Sequence, residues 1–113
     1  MASIEEDIDP SIVADKLSEY QKDCILLDVR EEEEYAQGHI PGAVNIPLSC
    51  LHNRIKDLKK DKSVLAICLS GRRAKVAAKI LSEQGFNVKI MTGGMSSWKG
   101  AVEKSDTRAD AGV

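Results

Sequence analysis

The chain has 113 residues, enough for one domain whose fold hides roughly two-thirds of the surface an extended chain exposes. Hydrophobic residues make up 42% and charged residues 30%, with a formal net charge of -2, a balance that gives no basis for a nucleic-acid partner or a membrane surface. No apolar run approaches the roughly 20 residues of a bilayer span, and the acidic start Ile4-Glu5-Glu6-Asp7 is unlike a secretory leader, so a cytoplasmic protein is expected.

Asp9-Pro10-Ser11, followed by Ile12, Val13, Leu17 and Tyr20, predicts a capped amphipathic helix, because proline suits a first turn and the apolar positions recur at spacings of three and four. Cys24 to Val29 is apolar apart from Asp28, the pattern of a central parallel strand. Glu31 to Gln37 reads as a short helix closed by Gly38, with Glu31 to Glu34 forming a solvated face and Tyr35 turned inward. His39-Ile40-Pro41-Gly42 is a turn and Ala43 to Ile46 a short strand. Leu51 to Leu58 reads as a helix with Leu51, Ile55 and Leu58 on one face. Ser63 to Cys68 is the next buried strand. Arg73 to Gln84 carries Ala74, Ala77, Ala78 and Leu81 on one face, with Gly85 as its stop. Asn87 to Met91 is the last strand, and Thr92-Gly93-Gly94 opens a turn bearing Trp98, read as a lid near the site. Apolar periodicity ends at Glu103, so residues 1–103 are assigned to one domain and residues 104–113 to a disordered tail.

Strands alternating with helices predict a three-layer α/β domain with a largely parallel sheet, in which sites form beyond the carboxyl ends of strands. Asp28-Val29-Arg30 and Cys68 both close strands, so two separate segments point to one edge. The three cysteines, Cys24, Cys50 and Cys68, lie far apart and form no metal-ligand pair or disulfide framework. Cys24 reads as a small buried hydrophobe and Cys50 as structural, with a second redox thiol as the alternative for Cys50. Cys68 differs. It ends a strand, precedes the turn Leu69-Ser70-Gly71-Arg72-Arg73, and faces the start of a helix, where backbone N–H groups and the helix dipole favour a thiolate. A free thiol titrates near 8.5, and lowering it by two units takes about 2.7 kcal/mol. Arg72 and Arg73 present planar donor forks suited to a sulfate-like or phosphate-like anion. Asp28, at the end of a buried strand, calls for an ion pair with Arg30 or a loop arginine.

Several segments, in order, resemble the rhodanese family in its single-domain form. They are Leu26-Leu27-Asp28-Val29-Arg30 with Glu34-Tyr35, the run Gly38-His39-Ile40-Pro41-Gly42-Ala43-Val44-Asn45-Ile46-Pro47, the loop Cys68 to Arg73, and Gly93-Gly94-Met95 with Trp98. The resemblance implies a rhodanese-like sheet of about five mostly parallel strands flanked by helices. It implies a sulfurtransferase in which Cys68 takes the outer sulfur of thiosulfate or another persulfide donor, releases sulfite in the thiosulfate case, and passes the sulfur to cyanide or a thiol such as glutathione or a thioredoxin-like protein. Two displacements of this kind give ping-pong kinetics and need no cofactor or metal. The N–H groups of Leu69, Ser70, Gly71, Arg72 and Arg73 would cradle the persulfide, Arg73 would bind substrate and steady the loop, and Asp28 with Arg30 would support it from beneath. His39 would make a structural hydrogen bond.

Loop length separates this reading from a tyrosine phosphatase, whose arginine would stand at the next position, where this chain has Ala74. Leu69 and Ala74 depart from the family's more polar pattern, which weakens thiosulfate as a donor and leaves room for a bulkier or protein persulfide. The alternatives are a persulfide carrier or sensor acting through protein docking, an inactive binding module, and an arsenate or disulfide reductase with Cys50 as resolving thiol.

Overall fold

The computed structural model describes residues 6–105. Five strands, β1 (Glu6–Ile8), β2 (Cys24–Asp28), β3 (Val44–Asn45), β4 (Ser63–Ile67) and β5 (Val88–Met91), form one sheet in the order β1-β5-β4-β2-β3, and every pairing is parallel. The helices are α1 (Pro10–Asp15), α2 (Leu17–Asp23), α3 (Glu32–Gln37), α4 (Leu51–Arg54) and α5 (Arg72–Glu83). Fold class and sheet therefore match the expectation.

Alternation along the central strands builds two cores, because successive side chains leave a strand on opposite faces. Leu27, Val29, Val64, Ala66, Cys68, Val88 and Ile90 face one way and meet Leu51 of α4 and Ala74, Ala77, Ala78 and Leu81 of α5. Leu26, Leu65, Ile67 and Met91 face the other way, against Val13 of α1, Leu17 and Tyr20 of α2 and Tyr35 of α3. The apolar runs are apolar throughout because both faces are covered.

Local chemistry sets the element ends. Asp9 caps α1, its carboxylate accepting the Ser11 N–H at 2.8 Å, with Pro10 in the first turn. Glu31 and Glu34 form a reciprocal capping box at the start of α3. Gly71 stands before α5 at φ +99°, a left-handed conformation that favours glycine.

The structure differs from the sequence reading in four places. The helix expected from Asp9 to Tyr20 is two helices, broken at Lys16 (φ -119°, ψ 32°), and Ile12 stays exposed while Val13 is buried. The helix expected over Leu51 to Leu58 ends at Arg54 and continues as a 3-10 turn, Ile55–Asp57. The strand β1 had no sequence signal, being three residues of which two are acidic. The chain also stays paired as far as Ser105: Glu103 and His39 exchange backbone hydrogen bonds at 2.8 and 2.9 Å, and the Ser105 N–H donates to Ala36 O at 3.0 Å. Residues 106–113 of the expected tail lie outside the described residues.

Candidate active site

Adjacent parallel strands place the two strand-end segments side by side. Asp28 lies opposite Ile67 in the β2–β4 register, and the Val29 N–H donates to Ile67 O at 2.9 Å. Cys68, the next residue, is fully covered and belongs to the core face that carries α5. Its Sγ accepts the Gly71 N–H at 2.9 Å. Among the described residues, the N–H groups of Leu69 and Ser70 have no backbone acceptor. Those of Arg72 and Arg73 are free by their place in the first turn of α5.

The loop is oriented from outside. Cys68 O accepts the Met95 N–H at 2.7 Å and Leu69 O accepts the Ser96 N–H at 2.9 Å, both from the 3-10 turn Gly94–Ser97. In a trans peptide the N–H opposes the C=O, so the N–H groups of Leu69 and Ser70 turn away from that support. Gly94 lets the turn come this close, since a Cβ there would sit 2.5 Å from Leu69 O.

Asp28 and Arg30 form the expected ion pair, almost fully buried. Arg30 Nη2 donates to Asp28 Oδ2 at 2.8 Å, Nε donates to the same carboxylate at 3.0 and 3.1 Å, and the Arg30 backbone N–H donates to Oδ1 at 3.0 Å. Arg30 Nη2 also donates to Gly38 O at 2.7 Å. Such saturation offsets the cost of removing two charges from water. Asn45 completes the support, its Nδ2 donating to Asp28 O and Arg30 O at 2.9 Å each.

Two sequence expectations need revision. Glu34 is not simply part of a solvated face: its carboxylate takes both terminal nitrogens of Arg73 at 2.7 and 2.9 Å. Those hydrogen bonds, partly opposed by burial, lower the Glu34 carboxyl from its usual 4.5 to about 2 and push the Arg73 guanidinium up. Trp98 does not cover the cysteine. It packs on the opposite core face, with Nε1 donating to Ala101 O at 3.0 Å.

The other groups fall where their chemistry predicts. His39 bonds Tyr35 O through Nδ1 at 2.8 Å and stacks on the Tyr35 ring at 3.7 Å. Cys24 is buried on the face opposite Cys68, and burial pushes its thiol up. Cys50, half-buried, ends the 3-10 turn Leu48–Cys50 against the core face that contains Cys68. Leu69 is 45% exposed at the rim of the loop. Sequence reasoning missed Glu34, Asn45 and the Met95 and Ser96 N–H groups as supports. The signal for Asn45 is its place beside Asp28 in the register.

Fold and loop together define a three-layer parallel α/β domain with one cysteine at the carboxyl edge of the sheet, beneath a helix N-terminus. Residues 9–101 match the family model described as Rhodanese-like domain, and the chain belongs to the rhodanese family. It is 43% identical over 82 residues to YtwF of Bacillus subtilis (strain 168), provisionally named a sulfurtransferase, covering 73% of this chain and 80% of that protein. It is 44% identical over 79 residues to YrkF of the same organism, provisionally named a sulfur carrier protein, covering 69% of this chain and 43% of that protein. The chain thus spans under half the length of YrkF. A crystal structure of a rhodanese-related protein from Thermoplasma volcanium superposes with a TM-score of 0.73 at 35% identity, covering 91% of this chain and 98% of that one. No described helix is long and apolar enough to cross a membrane.

Proposed function

We propose that the chain is a sulfurtransferase that carries a sulfane sulfur on Cys68 between an anionic donor and a thiol or cyanide acceptor. The Cys68 thiolate attacks the outer sulfur of thiosulfate, the S–S bond breaks, and sulfite leaves with the electron pair. An acceptor thiolate then attacks the outer sulfur of the Cys68 persulfide, restoring the Cys68 thiolate and leaving a persulfide on the acceptor. Another persulfide donor follows the same course and releases its own thiolate.

One observation carries this reading: Cys68 Sγ accepts a backbone N–H from Gly71 at 2.9 Å at the start of the 12-residue helix α5. A persulfide extends the chain by about 2 Å, the length of an S–S bond, so its outer sulfur can take up further loop N–H groups. Those donors and the helix dipole favour the negative form. The sulfurtransferase and sulfur-carrier names of the relatives support the same chemistry.

Incubation with thiosulfate, polysulfide or glutathione persulfide, followed by mass spectrometry, should add one sulfur atom to Cys68 of the wild type and none to Cys68→Ser of unchanged fold. Absence of that adduct with every donor would sink the proposal. Exposed Leu69 beside Cys68 favours a second reading, a sulfur carrier that docks a protein donor or acceptor. Slow turnover with thiosulfate but rapid exchange with a protein persulfide would select it.

A further inference from the structure

Arg72 and Arg73 are adjacent in sequence and unequal in space. Arg73 donates two parallel hydrogen bonds to Glu34, reaching from α5 to α3 across 39 positions of the chain. The same Glu34 oxygen that takes Arg73 Nη1 also accepts the Glu31 N–H at 2.9 Å, so the carboxylate is itself anchored. Both side chains are about two-thirds covered, at 32% and 31% exposure. Arg72 is exposed, and among the described residues it has no ion-pair partner. It follows Gly71, the donor to Cys68 Sγ, and with Ser70, Lys75 and Asp7 it lines a cavity of about 140 Å³ beside the loop.

A guanidinium held in a bidentate carboxylate pair has spent its donor fork and most of its outward field, whereas a free one keeps both. We propose, resting on the sulfur-transfer reading above, that Arg72 is the specificity-determining cation that draws an anionic donor to Cys68. Glu34 is a positioning residue that withdraws Arg73 from that role and fixes it as a strut between α3 and α5. Arg73 stands in the first turn of α5, two residues after the Gly71 that donates to Cys68 Sγ, so a released Arg73 would act on the same reaction centre.

Iodoacetate and iodoacetamide test this without any sulfur transfer. They alkylate a thiolate through the same carbon with the same leaving group and differ by one negative charge. Their rate ratio on the Cys68 peptide, read by mass spectrometry at low salt, cancels whatever opening both need to reach the covered sulfur. Arg72→Gln should lower the ratio about threefold to tenfold, the scale of one charge at close range in partly aqueous surroundings, and raise KM for thiosulfate more than it lowers kcat. Arg73→Gln with Glu34→Gln, which removes the neutral pair whole, should leave the ratio within about twofold of wild type on the same scale. Glu34→Gln alone should raise it by unmasking Arg73, and Arg73→Gln alone should lower it by unmasking the Glu34 carboxylate. A loss in the double variant equal to that in Arg72→Gln would overturn the proposal, and so would an unchanged ratio in Arg72→Gln, a result that stands even where the Glu34 variants do not fold. A folded Glu34→Gln protein with an unchanged ratio would overturn the role of Glu34. The expected ratios in a wild type that accepts no sulfur would uphold the division of charge and reject the transfer reading alone.

Discussion

Replacing Gly94 by alanine tests how the loop is held. Gly94 sits at φ +57°, where a residue with a Cβ incurs about 1–2 kcal/mol. The new Cβ would lie 2.5 Å from Leu69 O and 2.6 Å from Leu69 C, and closer still to Cys68 O, all backbone atoms that no rotamer change can remove. Relief needs the turn to withdraw by about 1 Å, toward ordinary separations of roughly 3.5 Å. That would take the Met95 N–H to Cys68 O bond from 2.7 Å, and the Ser96 N–H to Leu69 O bond from 2.9 Å, past useful range. Two bonds at about 1 kcal/mol each, added to the backbone strain, give a loss of about 3–4 kcal/mol. For a domain of this size that is a drop of roughly 15 °C in Tm, and sulfur loading of Cys68 should slow with it. Gly38→Ala is the control, since nothing lies within 4 Å of a Cβ there and its φ of 162° is extended backbone. Thermal melts and mass-detected loading measure both variants. A Gly94→Ala protein that melts and loads like Gly38→Ala would refute the account of the turn as the loop's scaffold.

Asp28→Asn keeps the shape of the buried pair but leaves Arg30 without its counter-charge, and should cost about 3–5 kcal/mol in denaturant unfolding. A loss below about 1 kcal/mol would show that the guanidinium finds water or another acceptor. Because the folded Glu34 carboxyl is lowered to about 2 from 4.5, its pair with Arg73 stabilises the fold above pH 4.5, and that contribution fades as pH falls toward 2. The pair is partly exposed, so the contribution is about 1 kcal/mol after screening by water. Unfolding across pH 2–5 should show Glu34→Gln lacking that part of the slope; parallel curves would exclude it. With iodoacetamide at neutral pH, Cys50 should react well before Cys24, whose thiol is buried and pushed up. Equal rates in the native protein would contradict the burial assigned to Cys24.

The central strands, α5 and the strand-end position of Cys68 were legible because each rests on local pattern: long apolar runs, alanines at helical spacing, and glycine stops. The chain between residues 10 and 23 carries no glycine or later proline at Lys16, so the break between α1 and α2 had no marker. The edge strand β1 buries little and is read from its pairing with β5 alone. Glu34 illustrates the harder limit. Four consecutive glutamates look interchangeable in sequence, yet one of them meets Arg73, because only the packing of α3 against the loop tells them apart.

The loop that carries Cys68 is therefore defined mostly by residues outside it. Left to itself, Leu69-Ser70-Gly71 has one conformational constraint, the positive φ of Gly71, and its peptide groups could turn either way. Met95 and Ser96 take two of its carbonyls, which commits the opposite N–H groups to the other side. Glu34 takes Arg73, which fixes the helix start where Gly71 reaches the sulfur. Each constraint comes from a different segment, and each is formed by folding before any donor arrives. An anion that forms on Cys68 thus meets donors already oriented, and the reorganisation that water would need is absent. Arg72 supplies no such constraint, which is why its charge remains available to a molecule approaching from solution.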